Sequence, residues 1–374
     1  MVQEKIILKD LLFNKEKVSE LSGYIKKVYP EFEEKIYIEE TIFLFPELEL
    51  KQRIHHMKDM LRKHLPDDYI TAVLILIKSL PEELDPEKTD NDFGSFTLSA
   101  YGEYIAEFGC NEEYLDFSLS CFEECTKRFS MEFAIRPFLI KYPNETLKYV
   151  KKWSVSENYH VRRFASEGIR PNLPWGGKVD IGIKTTLNIL NNLYSDQTQY
   201  VLRSVANNLN DISKIDSDIV IQTLLSWKES GNQNKKNMLF LITHALRTQI
   251  KSGNPKALQL LGYYMPDIKI QDYNIHSSEV KIGESLEFSF DLSSNISQKL
   301  LINYVIHFVT ARGSISTKIF HISKKSLRKG EHMTIQKKHP LRSMTTKKLY
   351  PGKHFVEIFI NGEIFGKKEF QLNL

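Results

Sequence analysis

Cysteine is scarce in this chain: three among 374 residues, Cys110, Cys121 and Cys125. Three neighbouring cysteines cannot build a disulfide framework, and no second Cys/His cluster accompanies them as metal ligands would require. A reducing compartment is therefore expected, with no metal and no cofactor. Long apolar runs are also missing. None approaches the ~18 residues a membrane helix needs, so no membrane partner is expected. The opening Met-Val-Gln-Glu-Lys lacks the charged-then-apolar pattern of an export signal, which points to the cytoplasm.

What is present is an ordinary soluble composition, 41% apolar and 26% charged, with an uneven charge distribution. Residues 1–120 carry 25 Asp/Glu against 14 Lys/Arg; residues 121–264 carry 20 Lys/Arg against 12 Asp/Glu; residues 265–374 carry 17 against 10. Basic charge confined to the middle and the end suits a polyanionic partner, while the acidic first third reads as solvated scaffold.

From residue 2 to about 264, apolar residues recur at helical three- and four-residue spacing, as in Tyr69 to Ile77 and Met238 to Leu246. Leu65-Pro66-Asp67-Asp68 and Leu80-Pro81-Glu82-Glu83 both look like helix starts. Turn signals at Tyr142-Pro143-Asn144, Gly231-Asn232 and Ser252-Gly253-Asn254-Pro255 cut the second half into short helices. After Tyr264-Met265-Pro266 the period changes to two: Val280, Ile282, Leu286, Phe288 and Phe290 alternate with polar residues, and the texture returns at 301–308, 318–322 and 354–360. Asn361-Gly362 is a strong hairpin signal. Two domains follow, residues 1–264 and 265–374.

The densest stretch is 156–175, where Arg162, Arg163 and Arg170 accompany a Val161/Phe164/Ala165 stripe and the Pro-flanked Trp175. Forty residues on, Tyr200-Val201-Leu202-Arg203 echoes it, Arg203 aligning with Arg163. That offset is the length of a two-helix HEAT-type repeat, and short helices repeated at this length stack into a solenoid. The expected fold is thus mainly α: a HEAT-like α-helical repeat solenoid followed by an immunoglobulin-like β-sandwich without the usual core disulfide.

Four blocks in order, Phe129-Ser130-Met131-Glu132-Phe133-Ala134-Ile135-Arg136-Pro137-Phe138, the Arg-Arg to Trp175 stretch, Arg203 to Asp211, and His244-Ala245-Leu246-Arg247, resemble the DNA alkylation repair proteins of the AlkC type, relatives of the AlkD glycosylases. The resemblance spans roughly residues 1–264, and some AlkC-type proteins carry an immunoglobulin-like tail. It implies a monofunctional DNA glycosylase that removes cationic N-alkylated bases such as 3-methyladenine, acting as a monomer on double-stranded DNA. It also implies catalytic roles for Glu132 and Asp211. One departure is visible: Leu202 stands where relatives often have a second arginine.

Each site residue also has a plainer reading. Glu132 could simply pair with Arg136, its i+4 neighbour on a helix spanning 129–138, and Asp211 could cap a helix or serve a turn. Trp175 could be core, although an indole on a Pro/Gly-framed loop is well placed to stack on a flat cation. Trp153 and Trp227 lie on helical stripes and read as packing. His160, Arg162, Arg163, Arg170, Lys178, Arg203 and Arg247 are candidate phosphate binders; singly each could be a solvated charge, together they suggest a cradle.

The chemistry is coherent. Ring alkylation makes the base a good leaving group, and a carboxylate near the sugar stabilises an oxocarbenium-like transition state and orients water at C1′. Two other readings compete: a non-catalytic HEAT-like scaffold binding DNA or protein, which would tolerate loss of both acids, and a carbohydrate hydrolase, which gives no reason for the arginines. His307, Arg312, Lys324, Lys325, Arg328 and Lys329 would let the sandwich touch DNA. Deleting residues 265–374 should then weaken duplex binding and flatten its salt dependence in a binding titration; equal affinity and slope would exclude the contact.

Overall fold

The computed structural model describes residues 7–88, 93–342 and 348–374. It forms two compact units, one of Met1–Ile215 with Trp227–Ala245, the other of Asp216–Ser226 with Leu246–Leu374. Among the described residues no helix is long and apolar enough to cross a membrane.

The first unit is helical. Its helices start where short polar side chains can cap them: Asn14 accepts from the Lys17 amide, Asp68 from Thr71, and Asn158 from His160 and Val161. Pro143 opens the helix Pro143–Trp153, where a missing amide costs nothing. The helix Tyr159–Glu167 packs on Gln199–Ser213, which packs on Lys235–Ala245. The first two begin forty residues apart, the offset of the Arg163/Arg203 echo. Val161, Phe164, Val201, Val205 and Leu209 on the first two are buried, and Asn208 Nδ2 donates to the Ser166 carbonyl between them at 2.9 Å. Trp153 and Trp227 are both buried packing residues.

Two local expectations are corrected. Pro81-Glu82-Glu83 does not open a helix; the Leu84 amide donates to the Lys127 carbonyl and Arg128 Nε to that of Pro81, tying the segment to a neighbour. The 129–138 run is not one helix either. Phe129 bridges to Gly94, residues 132–135 form turns, and the helix is only Arg136–Lys141. Pro137 explains this, because proline sits well in a first turn but breaks a helix interior.

Among its described residues the second unit holds eight strands: β1 Ile268–Ile275, β2 Glu279–Lys281, β3 Ser285–Ser294, β4 Gln298–Val309, β5 Ile315–Leu327, β6 His332–Pro340, β7 Gly352–Ile360 and β8 Glu363–Asn373. They make a three-stranded sheet, β1-β3-β6, and a five-stranded sheet, β2-β8-β7-β4-β5. All pairings are antiparallel except β2 with β8. Strand β3 alternates strictly, with Leu286, Phe288, Phe290 and Leu292 turned into the core. Tyr304, Ile306, Ile358 and Phe370 from the other sheet complete a core of aromatic and aliphatic side chains. The β7–β8 hairpin turns at Asn361 and Gly362, both at positive φ, as the Asn-Gly pair requires.

Gly94 fixes the segment that leads to Glu132. At φ +71° a Cβ there would lie 1.7 Å from the Arg128 carbonyl oxygen, a backbone atom that cannot swing aside. Gly94→Ala should therefore destabilise the protein by more than ~1 kcal/mol, measured by denaturant titration. A stability equal to the parent would show that this close approach is not needed.

Candidate functional site

One chain of alternating charges runs through the helical unit, and it is built from three places in the sequence. The turn after Phe129 supplies Ser130 and Glu132. The helix Tyr159–Glu167 and the residues after it supply Arg163, Glu167 and Arg170. The helix Gln199–Ser213 supplies Tyr200, Ser204 and Asp211. Arg163 Nη1 lies 3.0 Å from Glu132 Oε2 and also bonds the Ser130 hydroxyl. Its other nitrogen is 3.7 Å from Glu167 Oε1, and its guanidinium lies 4.8 Å above the Tyr200 ring. Glu167 accepts from Arg170 Nη1 and from the Ser204 hydroxyl, each at 2.6 Å. Arg170 continues to Asp211 Oδ2 through Nε and Nη2, both at 3.0 Å, and Lys214 closes the chain 3.2 Å from Asp211 Oδ1.

Burial sets the electrostatics. It would push the Glu167 carboxyl up, but Arg163 and Arg170 prevail and hold it below its usual value. Burial likewise works against the Arg163 charge, and Glu132, Tyr200 and Glu167 together more than restore it. The Tyr200 hydroxyl is pushed up to about 12, mainly by burial. Such chains persist because a charge without its partner in the interior is far costlier than the pair.

The two predicted acids differ in access. Asp211 is 2% exposed and sits within a helix, two residues from its last, rather than capping one. The Glu132 side chain is 13% exposed, and its buried Oε2 has no aligned hydrogen-bond donor despite the nearby guanidinium. Glu132 does not pair with Arg136. Arg136 instead donates to the carbonyls of Gly168, Arg170 and Gly177, and burial, with Arg170 adding to it, pushes its guanidinium down to about 10.

That grip on Gly177 holds the loop bearing Trp175, which is 63% exposed at φ 67°. Positive φ is unusual for a bulky residue and marks a site where the surroundings hold the backbone. Lys51 donates to the Trp175 carbonyl, and the indole borders a cleft of about 300 Å³ with Phe133 and Arg136, neighbours of Glu132.

The candidate phosphate binders sit in unlike surroundings. Arg163 and Arg170 are buried among internal carboxylates, and His160 is packed against Tyr159 and Tyr200. Arg162 binds Asp196. Arg203 is half-buried and Lys178 is exposed on the Trp175 loop. Arg247 belongs to the second unit. Glu167, Ser130, Ser204 and Tyr200 were not anticipated. A signal for Glu167 was available, since it lies four residues after Arg163 and three before Arg170, the spacings at which opposite charges meet on a helix.

Glu167→Ala leaves two buried guanidiniums underpaired and should cost ~3–5 kcal/mol in denaturant unfolding. A carboxyl depressed by folding adds stability above its usual value of 4.5 and loses it as pH falls through the folded value. Wild-type stability should thus fall more steeply below that pH than that of Glu167→Gln; parallel profiles would show that Glu167 is not the linked group.

Comparison with known proteins bears on the family. Residues 269–374 match the family model described as "Uncharacterised protein YhaZ, C-terminal Ig-like domain". The uncharacterised protein YhaZ of Bacillus subtilis (strain 168) is 34% identical over 368 residues, covering 96% of this chain and 98% of that one. The structure of the Pseudomonas fluorescens alkylpurine DNA glycosylase AlkC, bound to DNA containing an abasic site analog, is similar at TM-score 0.85 and 31% identity, covering 98% of this chain and 99% of that one. With its helical unit and its immunoglobulin-like end both accounted for, this chain belongs to the AlkC-type family that includes YhaZ.

Proposed function

We propose that this protein is a monofunctional DNA N-glycosylase of alkylation repair, releasing cationic N-alkylated bases such as 3-methyladenine from double-stranded DNA. In this reading residues 1–264 form a HEAT-like DNA-binding and catalytic part, residues 265–374 an accessory sandwich, and the protein acts as a monomer. The observation that carries it is the whole-chain similarity to AlkC, which was captured on an abasic site analog, the kind of site that base removal leaves behind.

The charge chain supplies a mechanism. An alkylated purine departs with the electron pair of the glycosidic bond, becoming neutral as the sugar becomes an oxocarbenium-like cation. Glu132, whose Oε2 lacks an aligned donor, stabilises that cation, orients the water that adds at C1′ and takes the proton that this water loses. Asp211 acts from the other end of the chain through Arg170. A phosphate that draws a guanidinium outward leaves its carboxylate short of a partner beside the sugar, so DNA binding itself raises the electrostatic power of the acids. Trp175 stacks on the cationic ring. Arg162, Arg163, Arg170, Arg203, Lys178, His160 and Arg247 contribute to holding the duplex. No step needs a covalent lysine intermediate, so the strand stays uncut.

Incubation with methylated duplex DNA should release free 3-methyladenine. Glu132→Gln and Asp211→Asn should lower the single-turnover rate by ~10²–10³-fold while duplex affinity stays within a few-fold. Release at the parental rate in both variants would remove the acids from the chemistry, and an inert wild type that still binds DNA would favour the scaffold reading.

A further inference from the structure

Arg136 makes bonds that fold stability alone does not account for. It opens the helix Arg136–Lys141, four residues after Glu132, and is buried. Nη1 donates to the Gly168 carbonyl at 2.9 Å and to the Arg170 carbonyl at 2.7 Å, while Nε donates to the Gly177 carbonyl at 2.8 Å with Nη2 beside it. All of these acceptors are neutral backbone oxygens. Burial, and then the like charge of Arg170, disfavour the charged guanidinium more than Asp211 and Glu167 support it. A buried cation placed for stability alone would have a carboxylate in contact.

The acceptors lie on the segments that carry the site. Gly168 ends the helix Tyr159–Glu167, which bears Arg163 and Glu167. A Cβ at Gly168 would lie 2.9 Å from Ile135 Cγ2 and 3.2 Å from the Phe164 carbonyl oxygen, so the glycine lets that helix end close on the Glu132 turn. Arg170 reaches Asp211 with its side chain. Gly177 lies two residues beyond Trp175, whose own carbonyl is held by Lys51. A planar fork of five donors can span acceptors set apart in this way, whereas the three donors of an ammonium radiate from one nitrogen.

We propose that Arg136 is a positioning residue, whose guanidinium keeps the Trp175 loop and the backbone of Arg170 in register with Glu132. The proposal rests on the glycosylase reading and extends it to a residue that touches neither base nor sugar. In that reading the carboxylate acts at the sugar and the indole on the base, two parts of one nucleotide, so the separation of the two side chains enters the rate directly. Trp175 does not fix that separation by itself, because a φ of 67° is a conformation its surroundings must hold. Arg136 supplies the hold from the residue that follows the Glu132 turn.

Full-length Arg136→Lys, which keeps the charge, and Arg136→Gln, which keeps a neutral donor, test this against Arg53→Lys. Arg53 is a buried arginine that likewise donates to carbonyls, those of Phe45, Lys9 and Phe13, and takes no part in the site. In single-turnover release of 3-methyladenine from methylated duplex, both Arg136 variants should be ~10²-fold slower, with duplex affinity within a few-fold of the parent. Time-resolved anisotropy of the tryptophan emission should show a loosened indole in both, since Trp153 and Trp227 are buried and Trp175 is exposed. Arg53→Lys should lose stability yet keep the parental anisotropy and the parental rate per folded molecule. Parental rates in the Arg136 variants, equal slowing in Arg53→Lys, or failure of both Arg136 variants to fold each overturn the proposal. A wild type that releases no base overturns the glycosylase reading, and the anisotropy then decides alone: loosening confined to the Arg136 variants upholds the hold on Trp175, and an unchanged decay overturns it.

Discussion

The interaction on which the helical unit depends is the buried sequence Glu132, Arg163, Glu167, Arg170, Asp211. Each interior member touches opposite charges on both sides: Glu167 between two guanidiniums, Arg170 between two carboxylates. Removing any one leaves its neighbours unpaired in a low-dielectric interior, which is why the chain stands or falls together. It also joins three segments that are far apart in sequence, so the packing of the Tyr159–Glu167 and Gln199–Ser213 helices and the position of the Glu132 turn are one energetic problem. The two ends are not equivalent. Asp211 is closed off by Lys214, whereas Glu132 ends in an oxygen with no aligned donor.

A second use of arginine holds the backbone around that chain. Arg136 donates to three carbonyls that surround the Trp175 loop, and Arg53 does the same elsewhere, donating to Phe13, Lys9 and Phe45 carbonyls as well as to Asp10. A planar guanidinium with five donors can satisfy several turn carbonyls at once, something an ammonium on a flexible stem does poorly. The cost appears in Arg136 itself, whose burial disfavours the charged form. What it supports is a tryptophan in a backbone conformation few tryptophans adopt.

How much of this was legible follows from the range of the interactions. Periodicity is local, so the change near residue 264 from helical spacing to strict alternation marked the strands, and Asn361-Gly362 marked their last hairpin. The forty-residue echo of Arg163 in Arg203 matched the spacing of two stacked helices. The four family blocks together pointed to the right family. At the Glu132 turn Phe133, Ile135 and Phe138 have helical spacing, which predicts a helix, while Pro137 carries the contrary information. The partner of Glu132 was out of reach altogether. Arg163 lies 31 positions away in sequence, and nothing local distinguishes a buried guanidinium from a solvated one, so the arginines looked like surface charge.

The burial of these arginines bears on how a duplex would be held. A solvated lysine meeting a phosphate releases condensed counterions, and the affinity then falls steeply with salt. Arg163 and Arg170 are already neutralised by internal carboxylates, so a phosphate that takes over either guanidinium exchanges one anion for another and moves uncompensated charge onto an acid. In the proposed complex, exposed groups such as Lys178 are the ones that would bind in the ordinary salt-dependent way. In the proposed reaction the interior arginines therefore contribute less to affinity than their number suggests, and more to the field at the sugar. Of the two acids, Glu132 has the fewer cationic partners, Arg163 alone against Arg170 and Lys214 at Asp211.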